Sequence, residues 1–249
     1  MKKVFVVPTK DGLQTDRGPD SAVIVLDIIF ATTSITAALQ AGVERIIPAL
    51  HFDDAVRLHR ESGAGDSVIA GELNAEPFPG GLPFDPLALA QADLAGKTLI
   101  YATTNGTVAL RQAQGFRLTC AASLLNTMAV VRHLLARSDE YSDIVIVCAG
   151  SRGRFSLEDF FGAGYVVQCL RQAARGPLTF SDAALAAEMC FANAQPVQAL
   201  EGSRVGRLMV GRGLADSVAY TGRLDCSDVI PVFHGGSIRD QSRVFEGGA

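Results

Sequence analysis

The sequence predicts an α/β fold built on a mainly parallel sheet. Two observations carry that expectation. Short β-branched runs lead repeatedly through Thr-, Ser- or Gly-containing turns into Ala- and Leu-rich helical patterns. The chain has 249 residues, 48% apolar and 19% charged, which is the composition of a well-buried globular protein. A chain of this length removes roughly 70–75% of its unfolded surface from water, so its core needs no covalent staples.

The first unit starts at residues 23–29 (VIVLDII), a short apolar run that reads as a buried strand. It passes through Ala31-Thr32-Thr33-Ser34 into a helical stretch that stops at Gly42. Residues 46–50 read as a further strand, 53–63 as a helix and 67–70 as another short strand. The second unit is the strand 98–102 (TLIYA) followed by Thr103-Thr104-Asn105-Gly106-Thr107 and a helix. Its Ala-Thr-Thr-x-x-Thr-x-Ala-Leu pattern repeats that of Ala31 to Leu39, which points to two architecturally equivalent units. The third unit is the strand 144–148 (IVIVC), then Gly150-Ser151-Arg152-Gly153-Arg154 and a helix opened by Ser156 with Asp159 three residues on, a capping-box spacing. Residues 123–135 read as a helix with Asn126 in its first turn, 181–212 as helical around Pro196, 226–233 as a strand, and 239–249 as a loose tail. The Pro- and Gly-rich stretch from Pro77 to Pro86 reads as one long loop. In sheets of this kind ligands collect beyond the carboxyl ends of the strands, where the three turns converge.

Several residues in those turns can carry chemistry. Backbone N–H groups and hydroxyls around Thr32, Thr33, Thr104, Asn105, Gly106 and Thr107 suit an anion site, although helix capping explains one Thr per turn. Asp27 lies inside an apolar strand, where an unpaired carboxylate costs several kcal/mol. Such a group is metal-bound, catalytic or paired with a buried Arg. Glu158 and Asp159 are either capping acids or, with Asp27, part of an oxygen-rich Mg2+ site. Glu72 follows a short strand and is a weaker acid candidate. Cys148 is a core residue or a nucleophile. Arg152 and Arg154 are solvated charges or clamps for an anionic substrate. The histidines show no zinc spacing, and no Walker A motif is present.

The remaining features bound the class. A net charge of −4 argues against nucleic-acid and polybasic membrane-surface partners. The five cysteines form no C-x-x-C pair and suggest no disulfide framework. The apolar run 4–7 is too short for a signal peptide, so the expectation is a soluble, cytoplasmic protein. These observations lead to an enzyme that binds a small anionic, phosphorylated ligand with a divalent metal.

The order of motifs resembles the 2-phosphosulfolactate phosphatase family, Mg2+-dependent acid phosphatases of coenzyme M biosynthesis. The matching segments are VLDIIFATTSITAAL from Val25, AGE from Ala70, YATTNGTVAL from Tyr101, SLLN from Ser123, VCAGSRGRFSLEDFFGAG from Val147, and the closing stretch from Ser203 to Pro231. The resemblance implies a three-layer α/β/α fold with a mainly parallel or mixed sheet. It implies one domain over residues 1–249, open to division into two similar subdomains sharing one core. It further implies hydrolysis of a phosphate monoester of a small sulfonated hydroxy acid, with Asp27, Glu158 and Asp159 at the Mg2+ and Glu72 among the catalytic acids. Thr32, Thr33, Thr104, Asn105, Gly106, Thr107, Asn126, Arg152 and Arg154 would serve the substrate, and a homodimer is compatible with the size. The family pattern V-L-R-A-T after the first Asp reads here Ile28-Ile29-Phe30-Ala31-Thr32, so an Arg has become Phe30. The Gly80–Pro86 stretch also lacks the family's Asn-Ser pair. These departures favour either another cation in place of that Arg, a different small phosphorylated acid as substrate, or a non-catalytic anion-binding role.

Overall fold

The computed structural model describes residues 2–62, 66–73 and 75–242. Eleven strands among them form one sheet. They are β1 (Lys2–Val7), β2 (Ser21–Leu26), β3 (Arg45–Ala49), β4 (Ser67–Leu73), β5 (Glu76–Pro77), β6 (Thr98–Ala102), β7 (Leu118–Ala122), β8 (Asp143–Cys148), β9 (Leu178–Phe180), β10 (Pro231–His234) and β11 (Ser237–Asp240). The helices are α1 (Ala31–Gln40), α2 (Phe52–Glu61), α3 (Pro86–Gln91), α4 (Gly106–Gln112), α5 (Thr127–Ala136), α6 (Leu157–Ala173), α7 (Asp182–Ala192), α8 (Pro196–Gly202), α9 (Arg204–Gly211) and α10 (Ala215–Thr221). The arrangement is the expected α/β class, consistent with three layers and with a mixed sheet.

The sheet order is β5-β4-β6-β3-β11-β10-β7-β2-β8-β1-β9. It contains two parallel blocks, β7-β2-β8-β1-β9 and β3-β6-β4, joined by the antiparallel β10-β11 hairpin. Three antiparallel steps (β7 to β10, β10 to β11, β11 to β3) separate the blocks, so the two run in opposite directions. Within each block the strands end level. Leu26 pairs with both Ala122 and Cys148, while Ala102 pairs with both Ala49 and Gly71. The residues immediately beyond those ends, Asp27 and Ala149 on one block and Thr103 on the other, therefore start the turns that build the site, with Glu72 beside them on β4.

Most of β2 and β8 is fully buried, as continuous Val/Ile runs in a parallel sheet require. α1 is buried on every side over Ala31 to Leu39. Its hydroxyls tolerate this because each finds a carbonyl: Thr36 donates to Thr32 O at 2.9 Å and Ser34 to Phe84 O at 2.9 Å.

Several expectations shift. β1, β7, β9 and β11 are strands that the sequence pattern does not announce. Arg239 and Asp240, expected in a loose tail, belong to β11, whereas 243–249 lie outside the described residues. The long loop from Pro77 to Pro86 is punctuated by β5 and ends at the N-terminus of α3. The two Thr-Thr turns are also out of register. Ala31-Thr32-Thr33 is the first turn of α1, but Ala102-Thr103-Thr104 is a strand end and turn, with α4 starting only at Gly106. No helix among the described residues is long and apolar enough to cross a membrane.

His133, buried on α5, supplies a stability prediction. Burial and the neighbouring Arg137, whose Nη1 lies 3.1 Å from Nδ1, lower its pKa to about 4. Unfolded, the imidazole titrates near 6.5, so between about pH 6.5 and 4 the unfolded chain takes up a proton that the fold refuses. His133→Gln should flatten the loss of thermal stability over that range. Identical melting-temperature profiles for the two proteins would refute the assignment.

Candidate functional site

The carboxyl ends of the two blocks enclose a cavity of about 60 Å3, room for a few waters or a compact anionic group. Its acidic side is formed by Asp27 after β2, Glu72 on β4, and Glu158 and Asp159 in the first turn of α6. All four are buried, with exposures of 8%, 4%, 4% and 2%. Gathering carboxylates away from water is costly, and their protonation reflects it. Burial, then the charges of Glu72 and Glu158, raises the pKa of Asp27 to about 7. Backbone N–H groups of Ala31 and Phe30 act in the other direction. Asp159 is pushed well above the usual carboxylate range by burial and by Asp27 and Glu158.

The acids do different jobs. Asp159 accepts the N–H of Ile28 at 2.9 Å through Oδ1 and that of Gly150 at 3.0 Å through Oδ2. It thus clamps the β2 and β8 turns together, and the expected capping box with Ser156 does not form: Ser156 is the N-cap residue but its side chain makes no capping bond. Glu72 accepts from Thr104 N at 2.7 Å and Ala75 N at 2.5 Å, holding the β4 and β6 turns. Asp27 and Glu158 remain as the acids best able to meet a ligand.

No three His, Cys, Asp or Glu side chains among the described residues stand together as a ready-made metal cage. Within the expected set of Asp27, Glu158 and Asp159, each Asp159 oxygen already accepts a backbone N–H, so Asp27 and Glu158 are the less engaged acids. The donor chemistry still suits Mg2+, which is commonly held by one or two carboxylates together with substrate phosphate and waters. Burial, and after it the charges of Glu72 and Glu158, raise the Asp27 pKa, and a cation at the site would offset both.

Of the expected anion-site residues, Thr104, Asn105 and Arg152 line the cavity. Asn105 Oδ1 accepts from Lys10 Nζ at 3.0 Å and from Arg152 N at 3.3 Å, which leaves its amide Nδ2 as the donor end. Thr32, Thr33 and Thr107 do not line it. Thr32 Oγ1 donates to Asp27 O at 3.0 Å, Thr33 Oγ1 to Ile28 O at 2.5 Å, and Thr107 Oγ1 to Thr103 O at 3.0 Å. They shape the turns. Asn126 is likewise structural, accepting from Ser123 N and donating to Val229 O. Arg154 is exposed outside the cavity lining. Gly106 lines nothing but sets the distance between the blocks, since a Cβ there would stand 2.4 Å from Asp27 Oδ2 and 2.3 Å from Ala31 Cβ.

Cys148 is fully buried, outside the cavity lining, and its thiol is driven well above its ordinary pKa by burial and by Asp159 and Glu158. A thiolate nucleophile is therefore disfavoured there. Phe30 forms an apolar part of the wall, its ring edge-on to Phe84 at 5.4 Å. The sequence reading missed Lys10 and Arg204. Lys10 follows β1, so recognising residues 2–7 as a strand would have placed it at this rim. Arg204 arrives on α9 from far along the chain, and no local motif marks it.

A family profile described as 2-phosphosulpholactate phosphatase matches residues 7–236. A probable 2-phosphosulfolactate phosphatase of Carboxydothermus hydrogenoformans is 35% identical over 230 residues, 91% of this chain and 93% of that protein. One of Deinococcus radiodurans is 34% identical over 226 residues, 88% and 92% of the two chains. One of Clostridium acetobutylicum is 28% identical over 241 residues, 95% and 99%.

Proposed function

Because the chain belongs to the 2-phosphosulfolactate phosphatase family, we propose that it hydrolyses 2-phosphosulfolactate to sulfolactate and phosphate with Mg2+. The observation that supports this chemistry is the convergence of buried Asp27 and Glu158 with the polar Asn105 and Arg152 turns on one small cavity. Asp27 and Glu158 are the residues that would hold Mg2+, whose contribution when bound is to neutralise phosphoryl charge.

The chain's own contribution is mostly positioning and electrostatics, as phosphoryl transfer requires. Thr32 fixes the backbone on both sides of the Asp27 carboxylate: its hydroxyl accepts from Asp27 N at 3.1 Å and donates to Asp27 O. Asp159 locks the β2 and β8 turns so that Asp27 and Glu158 share one face of the cavity. Lys10 and the Arg152 backbone orient Asn105 to donate a hydrogen bond to the phosphate ester. Cys148, buried and with its thiol pKa raised, disfavours a cysteinyl intermediate and leaves water or a carboxylate as the attacking group.

Phe30 supports a second reading, a phosphatase for a small phosphorylated acid with fewer anionic groups. Phosphate release from 2-phosphosulfolactate and from 2-phospholactate, measured side by side with Mg2+, separates the two. We expect faster turnover of the sulfonated ester. Preference for phospholactate would make Phe30 a change of specificity, and release from neither by folded protein would refute the proposal.

A further inference from the structure

We infer that Arg204 is the specificity residue that binds the substrate's sulfonate, an inference that rests on the reaction proposed above. The cavity has an acidic floor and a separate wall contributed by α9, from which Arg204, Val205 and Leu208 line the space. That wall is firmly placed. Ser203 caps α9 by accepting Gly206 N at 2.9 Å, and Gly206 lies so close to α8 that a Cβ would stand 1.8 Å from Leu200 O. At the other end of α9, Arg212 donates to Ala75 O and pairs with Glu76 at 2.7 Å, on the rim formed by the β4–β5 turn. At the near end the Arg204 guanidinium reaches across to the opposite rim and donates to Ser151 Oγ in the turn after β8. The helix is thus strapped over the cavity from rim to rim, with Arg204 held by a neutral partner.

A guanidinium has five N–H donors in a planar fork, and the bond to Ser151 engages one nitrogen. The remaining donors match an anionic, multi-oxygen group. The substrate carries three such groups. Phosphate belongs with Asp27 and Glu158, where the cation would sit, and the carboxylate shares a carbon with the phosphate-bearing oxygen. The sulfonate stands one carbon farther out, so with the phosphate at the acidic floor it extends to the facing wall. The carboxylate charge at the acidic floor drives it the same way. Val205 and Leu208 offer apolar contact to the intervening methylene, while Phe30 supplies no charge on its side of the cavity.

The test compares wild-type protein with Arg204→Ala, Arg204→Lys and the control Arg207→Ala, an exposed α9 residue outside the cavity lining. Each is assayed for phosphate release from 2-phosphosulfolactate and 2-phospholactate with Mg2+, after circular dichroism shows native folding. Arg204→Ala should lower kcat/KM for the sulfonated ester by about 10- to 100-fold, through KM, and leave phospholactate turnover within about twofold. Lys should restore part of the preference by charge alone, and Arg207→Ala should match wild type. Equal losses on both substrates, or an unchanged preference, would overturn the assignment while leaving the proposed reaction intact. If wild-type protein hydrolyses neither ester, the reaction itself fails, and isothermal titration with sulfolactate and lactate decides the binding role. Tighter sulfolactate binding that disappears in Arg204→Ala supports it; equal affinities in the two proteins overturn it.

Discussion

Asp27→Asn should sharply lower phosphate release and at the same time make the protein more stable at neutral pH. The activity loss, on the order of 10²–10³-fold, is what removal of one preorganised charged group from an enclosed site costs. The stability gain follows from the same burial. The folded-state pKa of Asp27 is raised from 3.8 to about 7 by desolvation and by Glu72 and Glu158. A carboxyl with a raised folded pKa favours the fold most below its unfolded pKa, and that contribution is lost as pH climbs through about 7. At pH 8 the native protein therefore carries a penalty on the order of a few kcal/mol. Asn keeps the size and an oxygen to accept the Phe30 and Ala31 N–H groups, and its amide can donate to the neighbouring acids. In metal-free buffer the melting temperature should rise by about 5 °C at pH 8, with the gain shrinking toward pH 5. A variant that is less stable at pH 8 than at pH 5, relative to wild type, would contradict this account of the acid cluster.

Gly106→Ala should destabilise the fold by about 3 kcal/mol and lower activity by about 100-fold. Helix propensity alone predicts the opposite sign, since Ala in place of Gly favours a helix by about 1 kcal/mol. The packing term wins because the new methyl would stand 2.3 Å from Ala31 Cβ and 2.4 Å from Asp27 Oδ2. Neither can yield cheaply: Ala31 belongs to the fully buried first turn of α1, and Asp27 is held by Thr32 and backbone N–H groups. Overpacking of this kind typically costs 1–3 kcal/mol. A displacement of Asp27 by about 1 Å is enough for a 100-fold kinetic loss. Denaturant unfolding and steady-state kinetics on the same preparation check both effects. A neutral or stabilised Gly106→Ala would mean that the two blocks do not meet as closely as the structure places them.

The sequence revealed the strand-turn-helix units but not how they face one another. β2–α1, β6–α4 and β8–α6 are legible because each joins an apolar, β-branched strand through a Thr-, Asn- or Ser-bearing turn to a helix-forming run. β7 (LTCAA) is too poor in β-branched residues to stand out, and the apolar part of β1 is only Val4 to Val7, cut off at once by Pro8. The opposed directions of the two blocks depend on the β10–β11 hairpin, whose second strand lay in the part read as a tail. The acids were legible for a clear reason: Asp27 interrupts an apolar run, where a charge needs explaining. Their roles were not. Asp159 looks like a helix-capping acid until the structure brings Ile28 N and Gly150 N to its two oxygens. The threonines misled because the same Ala-Thr-Thr pattern falls inside α1 in one unit and before α4 in the other. Arg204 is the extreme case, a residue whose place depends on where α9 crosses the cavity.

The measurement that bears most directly on the central claim is phosphate release from 2-phosphosulfolactate by the wild-type protein, first with EDTA and then with Mg2+ restored. The account predicts negligible release with EDTA and full recovery on adding Mg2+, because Asp27 and Glu158 present buried negative charge that a phosphate ester meets only with a cation between them. Equal release in both conditions would contradict it, as would no release from protein that is folded and supplied with Mg2+.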